Sequence, residues 1–389
     1  MPKKHTLMII SSILMMLLMG TVYAYSVFRY HIEDLYQIST LTSGFPYMTS
    51  LFFYAFSMMV TGRHLKPTRL RGFVFYGTLL IILGYFLSGI ATHIGMLVFS
   101  YGVLIGTGVG MVYGVPIYMV QKLYPKRSGL MTGIILLGFG MSPLITAPLT
   151  SALIEWTSIR QTFFILGVVF LVLQLPLSYI FILKERTTFK QEPVEQRFKE
   201  KLKPFKRIYA LFVIATLVGL MMIGLTYQVG VRYYGLNETH VTIALSFFAI
   251  LNGLARPLFG KLMDNQGFKF SGILSVSLIV VASVIGLINR GSTFFLFGIS
   301  FGLYWFNLGA WLAIVPATIK EFYGIQQYAK KYGLMFTGYG VGAILGTLAS
   351  GYILDMLGET SYIYGFILAL MVVSAILLSQ MPKKIKRSI

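Results

Sequence analysis

The sequence has no cysteine, which removes disulfides, thiol catalysis and thiolate metal ligation together. Charge is also scarce. Only 11% of the 389 residues are Asp, Glu, Lys or Arg, less than half the ~25% typical of a soluble globular chain. That composition argues against a water-soluble enzyme, and against a disordered chain, which needs dense charge and little apolar content. The 40 glycines keep no strict three-residue period, so a collagen-like helix is excluded. No phosphate-binding loop and no H-E-x-x-H pattern occurs, and His31, His64, His93 and His240 are scattered. No metal, nucleotide or prosthetic group is therefore expected.

What the chain does have is apolar length. Hydrophobic residues make up 56% of it, with a mean hydropathy of +0.77. A bilayer-crossing helix needs ~20 mostly apolar residues. Twelve such runs can be read, at roughly 6–28, 42–62, 72–92, 95–121, 129–153 and 161–183, then 208–231, 240–262, 271–289, 293–318, 332–355 and 361–381. They are too long, and too rich in Leu, Ile, Met, Gly and Ala, for the alternating ~10-residue strands of a membrane barrel. The expected class is an all-α membrane protein of twelve transmembrane helices. The first run outlasts a signal peptide and lacks a convincing cleavage site, so it is expected to be the first span itself.

The net charge of +20 would suit a nucleic-acid binder on a soluble chain. Its distribution says otherwise. The connections after odd-numbered spans hold four cations: Arg29, Arg160, Arg232 and Arg290. The even-numbered connections and the termini hold 27, among them Arg63, Lys66, Arg69, Arg71, Lys122, Lys126, Arg127, Lys261, Lys269, Lys320, Lys330, Lys331, Lys383, Lys384, Lys386 and Arg387. Positive-inside bias then places both termini in the cytoplasm and makes the span count even, with no nucleic-acid partner. The longest hydrophilic stretch, 184–207, divides the chain into a bundle at 1–183 and another at 208–389. It reads as a solvated linker near anionic headgroups.

Several motifs share a resemblance. The connection after the eighth span reads Gly260-Lys-Leu-Met-Asp264-Asn-Gln-Gly267-Phe-Lys269. Its counterpart after the second span begins at Gly62 and has Lys66 at the acid's position. This G-x-L-x-D-x-x-G-x-K pattern resembles the cytoplasmic loop motif of the major facilitator superfamily. Further stretches are Gly20–Phe28, Gly106–Pro116, Tyr124–Gly129, Gly138–Pro143 and Asn252–Pro257. Together they resemble the oxalate/formate antiporter branch and its monocarboxylate-transporter relatives. The resemblance implies two six-helix bundles around a central cavity that rock to give alternating access, carrying small carboxylate anions past a substrate-facing arginine in the eighth span. It also implies a multi-pass plasma-membrane protein of bacterial type, working as a monomer.

Arg256 is the one charged residue that falls well inside a run, and no acid falls inside any. Burying such a cation costs at least ~2.5–3.5 kcal/mol on insertion scales, and such residues mark substrate pathways. With no acid to pair it, a substrate carboxylate is its natural partner, held by two parallel hydrogen bonds. The competing reading is snorkelling toward the membrane interface near Lys261. Asn252 lies one turn earlier on the same helix face. Tyr23, Ser26, Tyr113, Trp305, Asn307, Trp311 and Tyr339 are the candidates for the rest of the cavity, with helix packing as the alternative for each aromatic. Gly260, Asp264, Gly267 and Lys269 are the candidate gating residues. The dicarboxylate-exchanging relatives imply a second cation in span 11, where this chain has Phe336-Thr-Gly-Tyr339. A single guanidinium favours a monocarboxylate, and the absence of a buried acid favours anion exchange over proton symport. Export of drugs or cations and a non-transporting anion sensor are the rival functions.

Overall fold

The computed structural model describes residues 3–65, 69–124, 128–178, 204–289 and 293–381. Among these residues there are helices and no strand. The reason is dielectric: a backbone in hydrocarbon must satisfy its own N–H and C=O groups, and a helix does so within one segment. Helix α1 runs Lys3–Met19, tightens into a 3-10 turn at Gly20–Ala24 and continues as Tyr25–Tyr36. Then come α2 (Phe45–His64), α3 (Leu70–Gly89), α4 (Ile94–Leu97, a π stretch Val98–Ile105 and Gly106–Leu123), α5 (Ser128–Trp156) and α6 (Ile159–Ser178). The second set is α7 (Phe205–Tyr233), α8 (Glu238–Gln266), α9 (Phe268–Asn289), α10 (Phe294–Gly324), α11 (Gln327–Leu357) and α12 (Ser361–Ser379). A left-handed backbone at Gly324 (φ 71°) makes the corner between α10 and α11.

Eleven of these helices are long and apolar enough to cross a membrane, and α2 is the twelfth by length. Its Thr49, Ser50, Ser57, Thr61 and Gly62, with Arg63 and His64 in the last turn, dilute its hydropathy. Of the charge map, Lys66, Lys126, Arg127, Arg290, Lys383, Lys384, Lys386 and Arg387 lie outside the described residues, as does 184–203 of the linker.

One boundary corrects the sequence reading. The first span was expected to stop at residue 28, but α1 continues to Tyr36. Arg29 and Glu33 therefore sit inside the helix, and both are buried. Hydropathy ends a span at a cation, whereas the structure extends it because the two charges find partners in neighbouring helices.

Within the first six helices, α1 packs on α5, α2 and α3 on α4, and α3 on α6. Within the last six, α7 packs on α10 and α11, α8 on α10, and α9 on α10 and α12. Between the sets, α5 lies along α8 and α2 along α11. Lipid is as apolar as leucine, so helices associate through close packing, which small residues permit. The α5–α8 contact is made this way. A methyl on Gly133 would stand 2.7 Å from the Arg256 carbonyl oxygen and the Pro257 Cα, and one on Gly129 would stand 2.9 Å from the Gly260 carbonyl oxygen. The glycine stripe of α4 serves the α2 contact: added methyls at Gly102 and Gly110 would lie 2.7 Å and 2.8 Å from the Thr49 and Ser57 side chains. Gly110→Val is therefore expected to destabilise the protein by ~1–3 kcal/mol, the usual range for overpacking, seen as a lower thermal midpoint in detergent. Gly298→Ala, where a methyl meets nothing within 4 Å, is expected to leave the midpoint unchanged or higher.

Candidate functional site

The interface between the two sets of helices holds the polar residues. Arg256 is fully buried in α8. Its guanidinium points into the protein: one terminal nitrogen donates to the Leu136 carbonyl of α5 (2.7 Å) and the other to Asn252 Oδ1 (2.9 Å). This geometry is the opposite of snorkelling. The third donor, Nε, is buried without a partner, and neither bond goes to a carboxylate. The cation sits 5.5 Å from the centre of the Phe139 ring, close enough for cation–π attraction. Glycine makes room for it, since a methyl on Gly140 would stand 2.9 Å from Arg256 Nε. A buried donor left unmatched costs ~1–3 kcal/mol, and more when charged. An anion arriving at Nε would remove that cost.

Aromatic side chains from both sets of helices wall this cation. The 3-10 turn of α1 carries Tyr23, whose ring lies edge-on to Phe139 (5.2 Å) and Trp305 (6.4 Å). Tyr23 and Tyr339 share a hydrogen bond of 2.9 Å across the interface. Tyr113 packs edge-on against Phe139 (5.3 Å) and Tyr54 (5.1 Å), and its hydroxyl is buried without a partner. Tyr23 and Tyr113 thus pack on the same Phe139 ring that the Arg256 cation faces. Tyr54 and Phe336, which were not among the sequence candidates, complete the wall beside Tyr339, at 5.5 Å and 4.9 Å. The structure thus gathers Arg256, Asn252, Tyr23, Tyr113, Trp305 and Tyr339 in one place.

Other candidates have different surroundings. Asn252 was expected to donate to a ligand. Instead its amide donates to the Trp305 carbonyl (2.6 Å) while its oxygen holds Arg256, so it positions the cation. Asn307 accepts from Ser275 (2.7 Å) and donates to Leu303, and Trp311 donates to the same serine (2.8 Å). Both belong to the α9–α10 contact, away from Arg256. Ser26 is buried and its hydroxyl has no partner, but no described contact joins it to the cation. Asp264 and Gly260 lie against Gly129 at the start of α5, Gly267 has φ 80°, and Lys269 donates to the Ser379 and Met381 carbonyls at the end of α12. Lys269 therefore ties α9 to α12 rather than spanning the two sets of helices.

The expectation that no acid is buried in a span is overturned. At the cation-poor end, Glu33 accepts from Arg232 of α7 (2.6 Å), from Gln228 of α7 and from Ser43 (2.5 Å). Arg29, one turn earlier, donates to Ser43 Oγ (3.1 Å), to the Thr40 carbonyl (2.6 Å) and to the Gly224 carbonyl of α7 (3.2 Å). Asp355 of α11 adds a bond from the Leu41 amide (3.1 Å). These bonds join α1 and the 40–43 turn to α7 and α11, closing the interface at that end. Arg29 and Glu33 were legible as an acid four residues after a cation, but the pair lay beyond the assumed end of the span.

A family model described as Major Facilitator Superfamily matches residues 7–314 and 210–388. The chain is 24% identical over 358 residues to the uncharacterized MFS-type transporter YhjX of Escherichia coli (strain K12), covering 87% of this chain and 85% of that one. It is 22% identical over 347 residues to the oxalate:formate antiporter of Oxalobacter formigenes, covering 87% and 82%. It is 25% identical over 352 residues to human monocarboxylate transporter 12, covering 78% and 66%.

The cysteine-free chain lets the closure at Glu33 be tested directly. A cysteine at Thr347, which faces Gly44 inside this closure, is expected to react slowly with a bulky water-soluble maleimide. Glu33→Gln or Arg232→Gln should raise the rate about tenfold, equivalent to ~1.4 kcal/mol. That is less than the ~3–5 kcal/mol of breaking a fully buried pair, because the Arg232 side chain is 40% exposed. The exchanged pair Glu33→Arg with Arg232→Glu should restore slow labelling.

Proposed function

The chain belongs to the major facilitator superfamily, and we propose that it is a secondary carrier of small organic anions, monocarboxylates of the lactate, pyruvate and formate class, working by alternating access. The observation that carries this reading is the buried Arg256 guanidinium, which has an open donor, an aromatic wall and no carboxylate among its bonds. A carboxylate supplies the acceptor that Nε lacks and balances the charge. The names of the relatives support the same substrate class.

The second buried arginine does not change the count of cations open to substrate. Arg29 uses Nε and both terminal nitrogens on Ser43, Gly224 and Thr40, and Glu33 lies one turn along the same helix. One open guanidinium suits one carboxylate. Glu33 is held by Arg232, Gln228 and Ser43, so it serves closure rather than proton carriage in this reading. Exchange of one anion for another is then favoured, since Arg256 need never reorient empty. The basic end, with both termini, faces the cytoplasm of a plasma membrane. The bundles 1–183 and 208–389 rock as bodies joined by 184–207, each monomer carries its own site, and no chemical reaction is catalysed.

Purified protein in liposomes should exchange internal for external labelled formate, lactate or pyruvate, with little uptake into anion-free vesicles even under a pH gradient. Uptake without internal anion would overturn obligate exchange. Arg256→Gln should reduce exchange at least ~30-fold, corresponding to ~2 kcal/mol for a truncated buried charge contact. It should leave the thermal midpoint unchanged or raised, because it removes a buried charge. Undiminished exchange by this variant would reject the site. Arg256→Lys keeps the charge but loses the planar fork, and its exchange should also fall sharply.

A further inference from the structure

Toward the basic end the interface leaves a small, partly open cavity of about 20 Å³, room for roughly one water in this closed arrangement. It is lined by Thr61 and Gly62 of α2, Gly114 and Tyr118 of α4, and Tyr328 and Tyr332 of α11. Helices of both sets contribute, so it lies on the seam that must part for release on that side. Tyr328 and Tyr332 are stacked at 5.3 Å and almost fully buried, and neither hydroxyl makes a well-formed hydrogen bond, Tyr328 standing by Gln121 and Tyr332 by Tyr113. Tyr332 packs on Phe336 (5.6 Å), and Phe336 on Tyr113 (5.6 Å). The Tyr113 hydroxyl makes no well-formed hydrogen bond either, and Tyr113 packs on the same Phe139 ring that Arg256 faces. At the other end of the file, Gln121 neighbours Tyr328 and its carbonyl oxygen is unpartnered.

A row of buried, unmatched hydroxyls is costly in a packed interior and is retained where something polar passes. Three tyrosines can each donate to a carboxylate, and hydroxyl-to-carboxylate bonds are short and strong. No acid lies among the residues lining the cavity. In the sequence, the basic residues Lys122, Lys126 and Arg127 follow the part of α4 whose Gly114 and Tyr118 line this cavity. From Arg256, a departing anion would meet Tyr113, then Tyr332, then Tyr328, on its way along the seam.

We infer that Tyr332 and Tyr328 form a second, transient anion site on the path between Arg256 and the basic end, with Tyr113 handing the carboxylate between the two. The inference rests on the anion-carrier reading above. It assigns these tyrosines to one face of the membrane only. At the cation-poor end the corresponding space is closed by Arg29 and Arg232, whose guanidinium groups donate to the neighbouring helices and to Glu33.

The test measures affinity from each face separately, using right-side-out and inverted membrane vesicles and the carboxylate exchanged fastest in the panel above. Tyr328→Phe and Tyr332→Phe should each raise KM about threefold from the basic face. The double variant should raise it about tenfold, the scale of one to two lost hydrogen bonds. KM from the opposite face should not move. Tyr304→Phe, which loses only a bond to Ser283 in the α9–α10 contact, should change neither face. An unchanged KM in the double variant, or an equal rise from both faces, overturns the inference while leaving the Arg256 site standing. Failure of the anion-carrier reading looks different: full exchange by Arg256→Gln, or no exchange of any carboxylate in the panel, removes both.

Discussion

One cation without an acid organises the centre of this molecule. Arg256 points into the protein, away from the membrane surface. The protein surrounds it with what holds a charge without neutralising it: a backbone carbonyl, an amide oxygen and the face of a phenyl ring. Each of these demands a particular neighbour. Leu136 and Phe139 come from α5, so α5 and α8 must approach backbone to backbone, and Gly129, Gly133, Gly140, Gly253 and Gly260 let them. Asn252 must be held in turn, which fixes Trp305 and with it α10. The requirements of one side chain thus reach three helices and both sets of six.

The two ends of the interface are closed by different chemistry. At the cation-poor end the contact is ionic and polar, drawn from Arg29, Glu33, Arg232, Gln228, Ser43 and Asp355. Toward the basic end it is made by stacked tyrosines, Phe336 and glycine contacts between α2 and α11, where Gly333 and Gly340 meet the backbone of Met59 and Phe52. Between them lies Arg256 with its tyrosines.

Much of this was legible in the sequence. Apolar length gave the helices, and the uneven scatter of Lys and Arg pointed to an even number of them. A lone Arg inside an apolar run pointed to the centre. Three things were not legible. Which aromatics face the cation depends on helix rotation, which periodicity does not supply in helices that are apolar all round, so Tyr54, Phe139 and Phe336 were missed while Asn307 and Trp311 were included. The role of Asn252 depends on a backbone carbonyl 53 residues away. The extension of α1 depends on a partner almost 200 residues away: Arg232 makes Glu33 tolerable inside a helix, and no local window contains both.

The unlike closures also differ in what can reach them. The Glu33–Arg232 pair is partly open to water, since the Arg232 side chain is 40% exposed, so dissolved ions screen it. The stacked tyrosines carry no charge for those ions to screen. Brine therefore weakens one seal of the molecule and spares the other.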